Sequence, residues 1–317
     1  MRHRRPLALL GFALALGAVA PAAAQAADPA SCQTVRLADV GWTDITATTA
    51  AVSAVLQGLG YQPRTDVLAL PVTFASMKNG DIDVFLGNWM PTMEADLAPY
   101  KADGSIETIR ANLEGAKYTL AVPTYLYDQG LKSFADIARF HDQLDGKIYG
   151  IEPGNDGNRL ILGMIETDQF GLGQFELVES SEQGMLSQVA RQTRGEKPVV
   201  FLGWEPHPMN ANFQLSYLSG GDAVFGPNYG GATIYTLTRK GLSAECPNLG
   251  KLLANVVFSL KMENEIMGAI LNDGEAAEAA ATKWLAANPE TWKPWLAGVT
   301  TFDGQPADAA LETALEG

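Results

Sequence analysis

Two apolar stretches in different halves of the chain end in the same way. Residues 83–91 read DVFLGNWMP and residues 199–206 read VVFLGWEP. Runs of Val, Phe and Leu are typical of a strand buried on both faces, and the Gly and Pro that follow predict its end. Trp89 and Trp204 are therefore expected just past the carboxyl ends of two strands, where ligands bind in open parallel sheets. Two core strands of similar composition are the alternative, which the repetition disfavours.

The first 26 residues have the pattern of a secretory signal peptide. A basic segment at 2–5 precedes an apolar segment at 6–20, and residues 24–26 read AQA, a small-x-small cleavage site. The apolar segment of about fifteen residues is shorter than the roughly twenty that a membrane-spanning anchor needs. We therefore expect cleavage near Ala26 and a soluble mature protein in the periplasm.

The chain contains two cysteines, Cys32 and Cys246. In an oxidising compartment, an isolated pair usually forms a disulfide. This bridge would close a loop of about two hundred residues and stabilise the fold by roughly 2–5 kcal/mol. It would also bring the start of the mature chain beside a distant segment, although two free buried thiols remain an alternative.

The formal net charge is −14. This charge argues against nucleic acid or anionic lipid as a partner, and it mildly favours a cationic ligand.

The first part of the mature chain alternates between strand and helix patterns. Strands are predicted at 35–40, 67–70 and 83–86, with helices from Thr43 to about Leu59 and at 73–79. This order predicts a βαβαβ unit with a parallel sheet. Trp42, which follows the first strand, is then expected at the same edge of the sheet as Trp89.

The second part repeats this alternation. After a charged, loop-rich interval, a new apolar run at 115–123 predicts a crossing into a second lobe, with strands at 147–151 and 199–202 and helices at 160–166 and 182–194. A Gly-rich segment at 220–231 predicts the return crossing, followed by a strand at 232–238 and helices to the end. We therefore predict an α/β fold of two lobes, residues 27–115 plus 231–317 and residues 116–230, joined by a two-crossing hinge with the ligand cleft between them.

Motifs of common enzymes are absent from the sequence. It contains no G-x-S-x-G elbow, phosphate-binding loop, H-E-x-x-H motif or cysteine pair at metal-ligand spacing. Beyond the signal peptide the histidines are His141 and His207, and His207, between two prolines, is expected to be a loop residue. We predict no catalytic residue, cofactor or metal, although acid–base pairs of Asp and Glu stay open.

The predicted strand ends carry aromatic rings from both lobes. Trp42 and Trp89 belong to the first lobe, and Trp204 and Tyr118 to the second. Rings that meet in one cleft can hold a quaternary ammonium ion, which donates no N–H bond and is attracted by ring quadrupoles. Four desolvated contacts of roughly 2 kcal/mol each would total about 8 kcal/mol, near micromolar affinity.

Four stretches resemble a known family. Residues 38–44, 85–91, 149–158 and 201–208 read ADVGWTD, FLGNWMP, YGIEPGNDGN and FLGWEPHP. They resemble the choline-binding members of the glycine betaine and choline substrate-binding family of proteobacterial ABC importers, over nearly the whole mature chain. The resemblance implies a type II periplasmic binding protein fold, a disulfide, and an aromatic box with two polar contacts, formed by Trp42, Trp89, Tyr118, Trp204, Asp44 and Asn155. From the sequence pattern, Asp44 can also be a helix N-cap, and Asn155 a turn residue with left-handed φ.

Charge distinguishes the ligands of this family. The motifs contain Asp44, Glu152, Asp156 and Glu205, with Arg159 as the nearby base. A carboxylate accepts a hydrogen bond from the hydroxyl of choline but repels the carboxylate of glycine betaine. We therefore expect a monomeric periplasmic receptor that binds choline, with acetylcholine as a second ligand, and delivers it to the membrane permease of an ABC importer. A betaine or carnitine receptor and an exported choline-ester hydrolase are the alternatives.

Overall fold

A computed structural model describes residues 28–316. The predicted signal peptide, residues 1–26, lies outside the described residues. The strands are β1 (Thr34–Asp39), β2 (Gln62–Val67), β3 (Val84–Met90), β4 (Ile106–Pro123), β5 (Lys147–Tyr149), β6 (Glu176–Val178), β7 (Phe201–Glu205), β8 (Leu215–Tyr217) and β9 (Gly231–Arg239).

The helices lie between and after these strands. They are α1 (Thr43–Gly58), α2 (Leu70–Asn79), α3 (Glu94–Ala102), α4 (Thr124–Asp128), α5 (Phe134–Ile137), α6 (Asp156–Glu166), α7 (Glu182–Arg194), α8 (Met209–Asn212), α9 (Asp222–Phe225), α10 (Pro227–Gly230), α11 (Leu242–Glu245), α12 (Pro247–Asn255), α13 (Leu260–Leu271), α14 (Ala277–Ala287), α15 (Pro289–Trp292) and α16 (Ala307–Glu316). Short 3-10 helices cover Ala30–Cys32, Ala138–Phe140, Gln169–Gly171 and Lys293–Leu296. None of the helices between residues 28 and 316 has the length and apolar content needed to cross a bilayer.

One mixed sheet runs through the described residues in the order β2-β1-β3-β9-β4-β7-β5-β6, and β8 pairs with β4. Strands β1, β2 and β3 are parallel, and we call them the first sheet half. Strands β5, β6 and β7 are also parallel and form the second sheet half. The antiparallel strands β4 and β9 join the two halves. The alternation of strands and helices predicted from the sequence is confirmed, whereas the predicted lobe boundaries stay a prediction.

The first sheet half corrects one predicted strand. The sequence predicts a strand at 67–70, but β2 covers Gln62–Val67 and Leu70 begins α2. Strand β2 is polar and largely exposed because it lies at the edge of the sheet and pairs only with β1. The apolar residues that suggested a strand instead lead into a helix with proline in its first turn, a position that proline favours.

The length of β4, one of the two strands that join the halves, was also underestimated. The sequence predicts a loop-rich interval before residue 115, but β4 is a single strand of 18 residues, Ile106–Pro123. Its pairing with β9 shifts register between Thr108 and Arg110 and again further along the strand. Such bulges interrupt the alternation of polar and apolar residues that identifies a strand in a sequence.

Strands β3 and β7, which contain the two similar apolar stretches, extend further than predicted. Trp89 lies within β3 and Trp204 within β7, one residue before each strand ends, rather than past the strand ends. The antiparallel neighbours account for this extension, since Trp89 pairs with Ile234 of β9 and Trp204 pairs with Tyr118 of β4. The X–Pro peptide bond that follows is cis in both places.

The predicted disulfide is confirmed. Cys32 and Cys246 are bonded, with their Cα atoms 5.8 Å apart and a sequence separation of 214. Both side chains are buried, and because they are bonded to each other, the alternative of two free thiols is wrong. The bridge fixes the start of the described chain to the segment between α11 and α12.

Candidate ligand-binding site

A cavity between the two sheet halves is lined by aromatic rings. Its walls are Trp42, Asp44, Trp89, Tyr118, Ile151 and Trp204. The empty space among these residues is about 250 Å³. The four rings are 3–5% exposed. The structure therefore brings together five of the six ligand-binding residues predicted from the sequence.

Each ring comes from a different element. Trp42 precedes the first residue of α1, and Trp89 lies near the end of β3. Tyr118 of β4 and Trp204 of β7 are directly paired across neighbouring strands. Since the first two belong to the first sheet half and its helix, while Trp204 belongs to the second, the cavity is complete only when both halves are in contact.

Three of the rings are direct neighbours. Tyr118 lies 5.9 Å from Trp89 at 60° and 6.2 Å from Trp204 at 82°, measured between ring centroids and planes. Tyr118 thus connects a ring of the first sheet half with a ring of the second. The ring of Phe225 packs edge-on against Tyr118 at 5.9 Å and supports it.

Asp44 contributes the polar wall of the cavity. Its Oδ2 accepts a hydrogen bond of 3.1 Å from the indole Nε1 of Trp89, while its Oδ1 is buried without a hydrogen-bond partner among the described residues. Burial, followed by the nearby charge of Glu182, raises the pKa of Asp44 to about 8. The N-cap alternative is wrong, because Trp42 occupies the N-cap of α1 and Asp44 lies in its first turn.

Asn155 lies at the hydroxyl end of Tyr118. It is the N-cap of α6, and its Oδ1 accepts from the backbone N–H of Asn158 at 2.9 Å and from the Tyr118 hydroxyl at 3.4 Å. Its φ of −74° excludes the left-handed turn that the sequence left open. Asn155 is not among the residues that line the cavity, so its direct contact with a ligand stays a prediction.

Close approach of α6 to Tyr118 requires glycine at position 157. A Cβ atom built there would lie 2.0 Å from the tyrosine hydroxyl oxygen. The first turn of α6 can thus reach the ring only where no side chain intervenes.

The surroundings of the cavity are acidic. Glu152 accepts a hydrogen bond from the Trp42 indole, and burial raises the pKa of its carboxyl. Burial also raises the pKa of Asp156 to about 6. Arg159 pairs with Asp96 at 2.7 Å and donates to a backbone carbonyl. Among the described residues, those that line the cavity include no lysine or arginine, so the cavity suits a cation without an anionic group.

Two residues of this region were missed as functional residues in the sequence, and a third, Glu152, was counted only among the acidic residues of the motifs. Ile151 forms a wall, Glu152 holds Trp42, and Glu182 contacts the start of α1. The position of Ile151 and Glu152 directly after β5, at the edge where the tryptophans lie, was a usable signal. Nothing in the sequence near Glu182 distinguishes it from other first-turn glutamates.

Two parallel sheet halves joined by shared strands, with an apolar and acidic cavity between them, define a solute-binding protein of the α/β class. The sequence profile of one family, OpuAC, the substrate-binding domain of ABC-type glycine betaine transport systems, matches residues 33–287. The chain belongs to this family. It is a substrate-binding protein and not an enzyme.

Individual relatives agree with this assignment. A solved ABC-transporter choline-binding protein in complex with choline is 64% identical, with a TM-score of 0.90, over 91% of this chain and 100% of that chain. An ABC-transporter choline-binding protein in an unliganded semi-closed conformation is also 64% identical, with a TM-score of 0.83, over 90% and 99%. The glycine betaine/carnitine transport binding protein GbuC of Listeria monocytogenes is 30% identical over 51% of this chain and 53% of its own length.

Proposed function

We propose that this chain captures choline in the aromatic cavity and delivers it to the permease of an ABC importer. One observation carries the proposal: four rings line one cavity together with Asp44, whose Oδ1 has no partner among the described residues, and the described walls include no basic residue. The rings attract the trimethylammonium group, and the carboxylate accepts a hydrogen bond from the hydroxyl group of choline. The 64% identity to a protein solved in complex with choline supports this ligand.

We further propose that the chain works as two hinged lobes of the type II periplasmic binding fold. Residues 27–115 plus 231–317 form one lobe and residues 116–230 the other, with β4 and β9 as the crossings. The structure has a higher TM-score with the choline complex than with the unliganded semi-closed protein, 0.90 against 0.83, which supports a closed arrangement. Closure on choline in the periplasm, after removal of the signal peptide, would generate the form that the permease recognises.

Glycine betaine or carnitine is the second candidate ligand. The family description and the Listeria relative favour it. Both molecules carry a carboxylate, which the ionised form of the buried Asp44 would repel in the absence of a neighbouring base. Choline, with acetylcholine as a second ligand, therefore fits this cavity better.

The test is calorimetric titration of the purified protein with choline and with glycine betaine. We expect choline to bind more tightly, and Trp204→Ala to weaken choline binding by about thirtyfold, because one desolvated cation–π contact contributes roughly 2 kcal/mol. Trp284→Ala is the matched control, since this half-buried tryptophan of α14 bonds to Glu265 and does not line the cavity. Unchanged choline affinity in Trp204→Ala, or tighter binding of betaine, would refute the proposal.

A further inference from the structure

Helix α1 has no N-terminal cap from its own segment. Its N-cap residue is Trp42, whose side chain makes no capping hydrogen bond. The first N–H groups of a helix have no partner within the helix and need one elsewhere. Glu182, 139 residues away in the sequence, supplies it: Oε2 accepts from the Thr43 N–H at 2.8 Å, and Oε1 accepts from the Thr43 hydroxyl at 2.5 Å.

His207 holds Glu182 from the other side. Its Nδ1 accepts a hydrogen bond of 2.9 Å from the backbone N–H of Met209, so in the neutral ring the proton lies on Nε2. This Nε2 donates to Glu182 Oε1 at 3.1 Å. Both side chains are 1% exposed. The ring of His207 also packs against the cavity wall, 4.9 Å from the ring of Trp204.

These contacts form one path between opposite walls of the cavity. Thr43 stands between Trp42 and Asp44 in the sequence, and both of these residues line the cavity. Glu182 begins α7 and His207 follows β7, so both belong to the second sheet half and its connections. The path from Trp204 through His207 and Glu182 to Thr43 therefore crosses from the second sheet half to the start of α1.

We propose that Glu182 is a positioning residue that clasps the start of α1 when the cleft closes, and so holds Trp42 and Asp44 in place around the ligand. This inference rests on the proposed function. In an open cleft, the Thr43 N–H and the Glu182 carboxylate both face water, whereas closure joins them at the positive end of the helix dipole. The clasp forms after the ligand has entered, so it acts on ligand release more than on capture.

The experiment compares choline association and dissociation by stopped-flow tryptophan fluorescence in four variants of the full mature chain. Glu182→Gln removes the charge, and Thr43→Val removes the hydroxyl donor while the Glu182–His207 pair stays intact. We expect both variants to release choline about 10 to 100 times faster, with association rates within about threefold of the wild type. Thr43→Ser keeps the donor and should restore slow release. Glu166→Gln, the same charge change on an exposed residue of α6, should match the wild type.

Two outcomes would overturn the clasp. In the first, Glu182→Gln and Thr43→Val both release choline at the wild-type rate. In the second, Thr43→Ser releases choline as fast as Thr43→Val. If Glu182 has a purely structural role, Glu182→Gln should lower the unfolding temperature of the ligand-free protein in proportion to any loss of choline affinity. Thr43→Val should then release choline at the wild-type rate. If the wild type itself binds no choline, the proposed function fails. Release of glycine betaine, measured in the same way, then tests the clasp separately, with faster release expected in Glu182→Gln than in Glu166→Gln.

Discussion

Replacement of Asp44 by asparagine should change the preference between choline and glycine betaine. The substitution keeps the size of the side chain and an oxygen that can accept a hydrogen bond, but it removes the negative charge beside the rings. The carboxylate attracts the ammonium group of either ligand, whereas it repels the carboxylate of betaine. Asp44→Asn should therefore weaken choline binding while leaving betaine binding unchanged or stronger.

The expected size of the change follows from the burial of Asp44. A cation about 5 Å from a carboxylate is attracted by roughly 3 kcal/mol at an effective dielectric constant of about 20. Burial holds the pKa of Asp44 at about 8, so ionising this carboxyl at pH 7 costs about 1.4 kcal/mol. The remaining attraction of about 2 kcal/mol corresponds to a roughly thirtyfold loss of choline affinity.

Calorimetric titration of both ligands into wild-type and Asp44→Asn protein at pH 7 measures this change. Asp128→Asn, the same charge change on an exposed residue at the end of α4, is the control. An equal loss of affinity for choline and betaine would refute the electrostatic reasoning and assign Asp44 to the orientation of Trp89 instead. Choline binding that is unaffected by the substitution would exclude Asp44 from the site.

Three further predictions concern pH, packing and the disulfide. Because the pKa of Asp44 is raised to about 8, the ionised form is lost as the pH falls below 8. Choline titrations should therefore show up to about tenfold weaker binding per pH unit from pH 8 to pH 6. A choline affinity that does not change with pH in the wild type, or the same slope in Asp44→Asn, would contradict this. Gly157→Ala places a Cβ against the Tyr118 hydroxyl and should cost about 1–3 kcal/mol in folding or binding, by thermal unfolding and titration. Similar behaviour of the Gly163→Ala control, which has open space at its Cβ, would show that Tyr118 is not involved. Replacing both cysteines by serine should lower the free energy of unfolding by about 2–5 kcal/mol in urea while leaving choline affinity unchanged; weaker binding would mean that the bridge also shapes the cavity.

Much of the fold was accessible from the sequence because it depends on local patterns. Helix α7 begins and ends as predicted, at Glu182 and Arg194, since an amphipathic period and a serine N-cap are both written in adjacent residues. The prediction was wrong for β2 and incomplete for β4. An exposed edge strand has no buried face to mark it, and the bulges of β4 arise from its pairing with β9, which no local pattern encodes.

The candidate site shows the same division. The sequence by itself determined which rings are available and that Trp89 and Trp204 lie near the ends of strands, because residue type and the ends of apolar runs are local properties. Only the tertiary structure decided that these rings enclose one cavity, that Asp44 lines it and has one oxygen without a partner among the described residues, and that Asn155 accepts from the Tyr118 hydroxyl. The contact of Glu182 with Thr43 joins residues 139 positions apart. Its geometry exists only after the two sheet halves meet, and for that reason the sequence carried no sign of it.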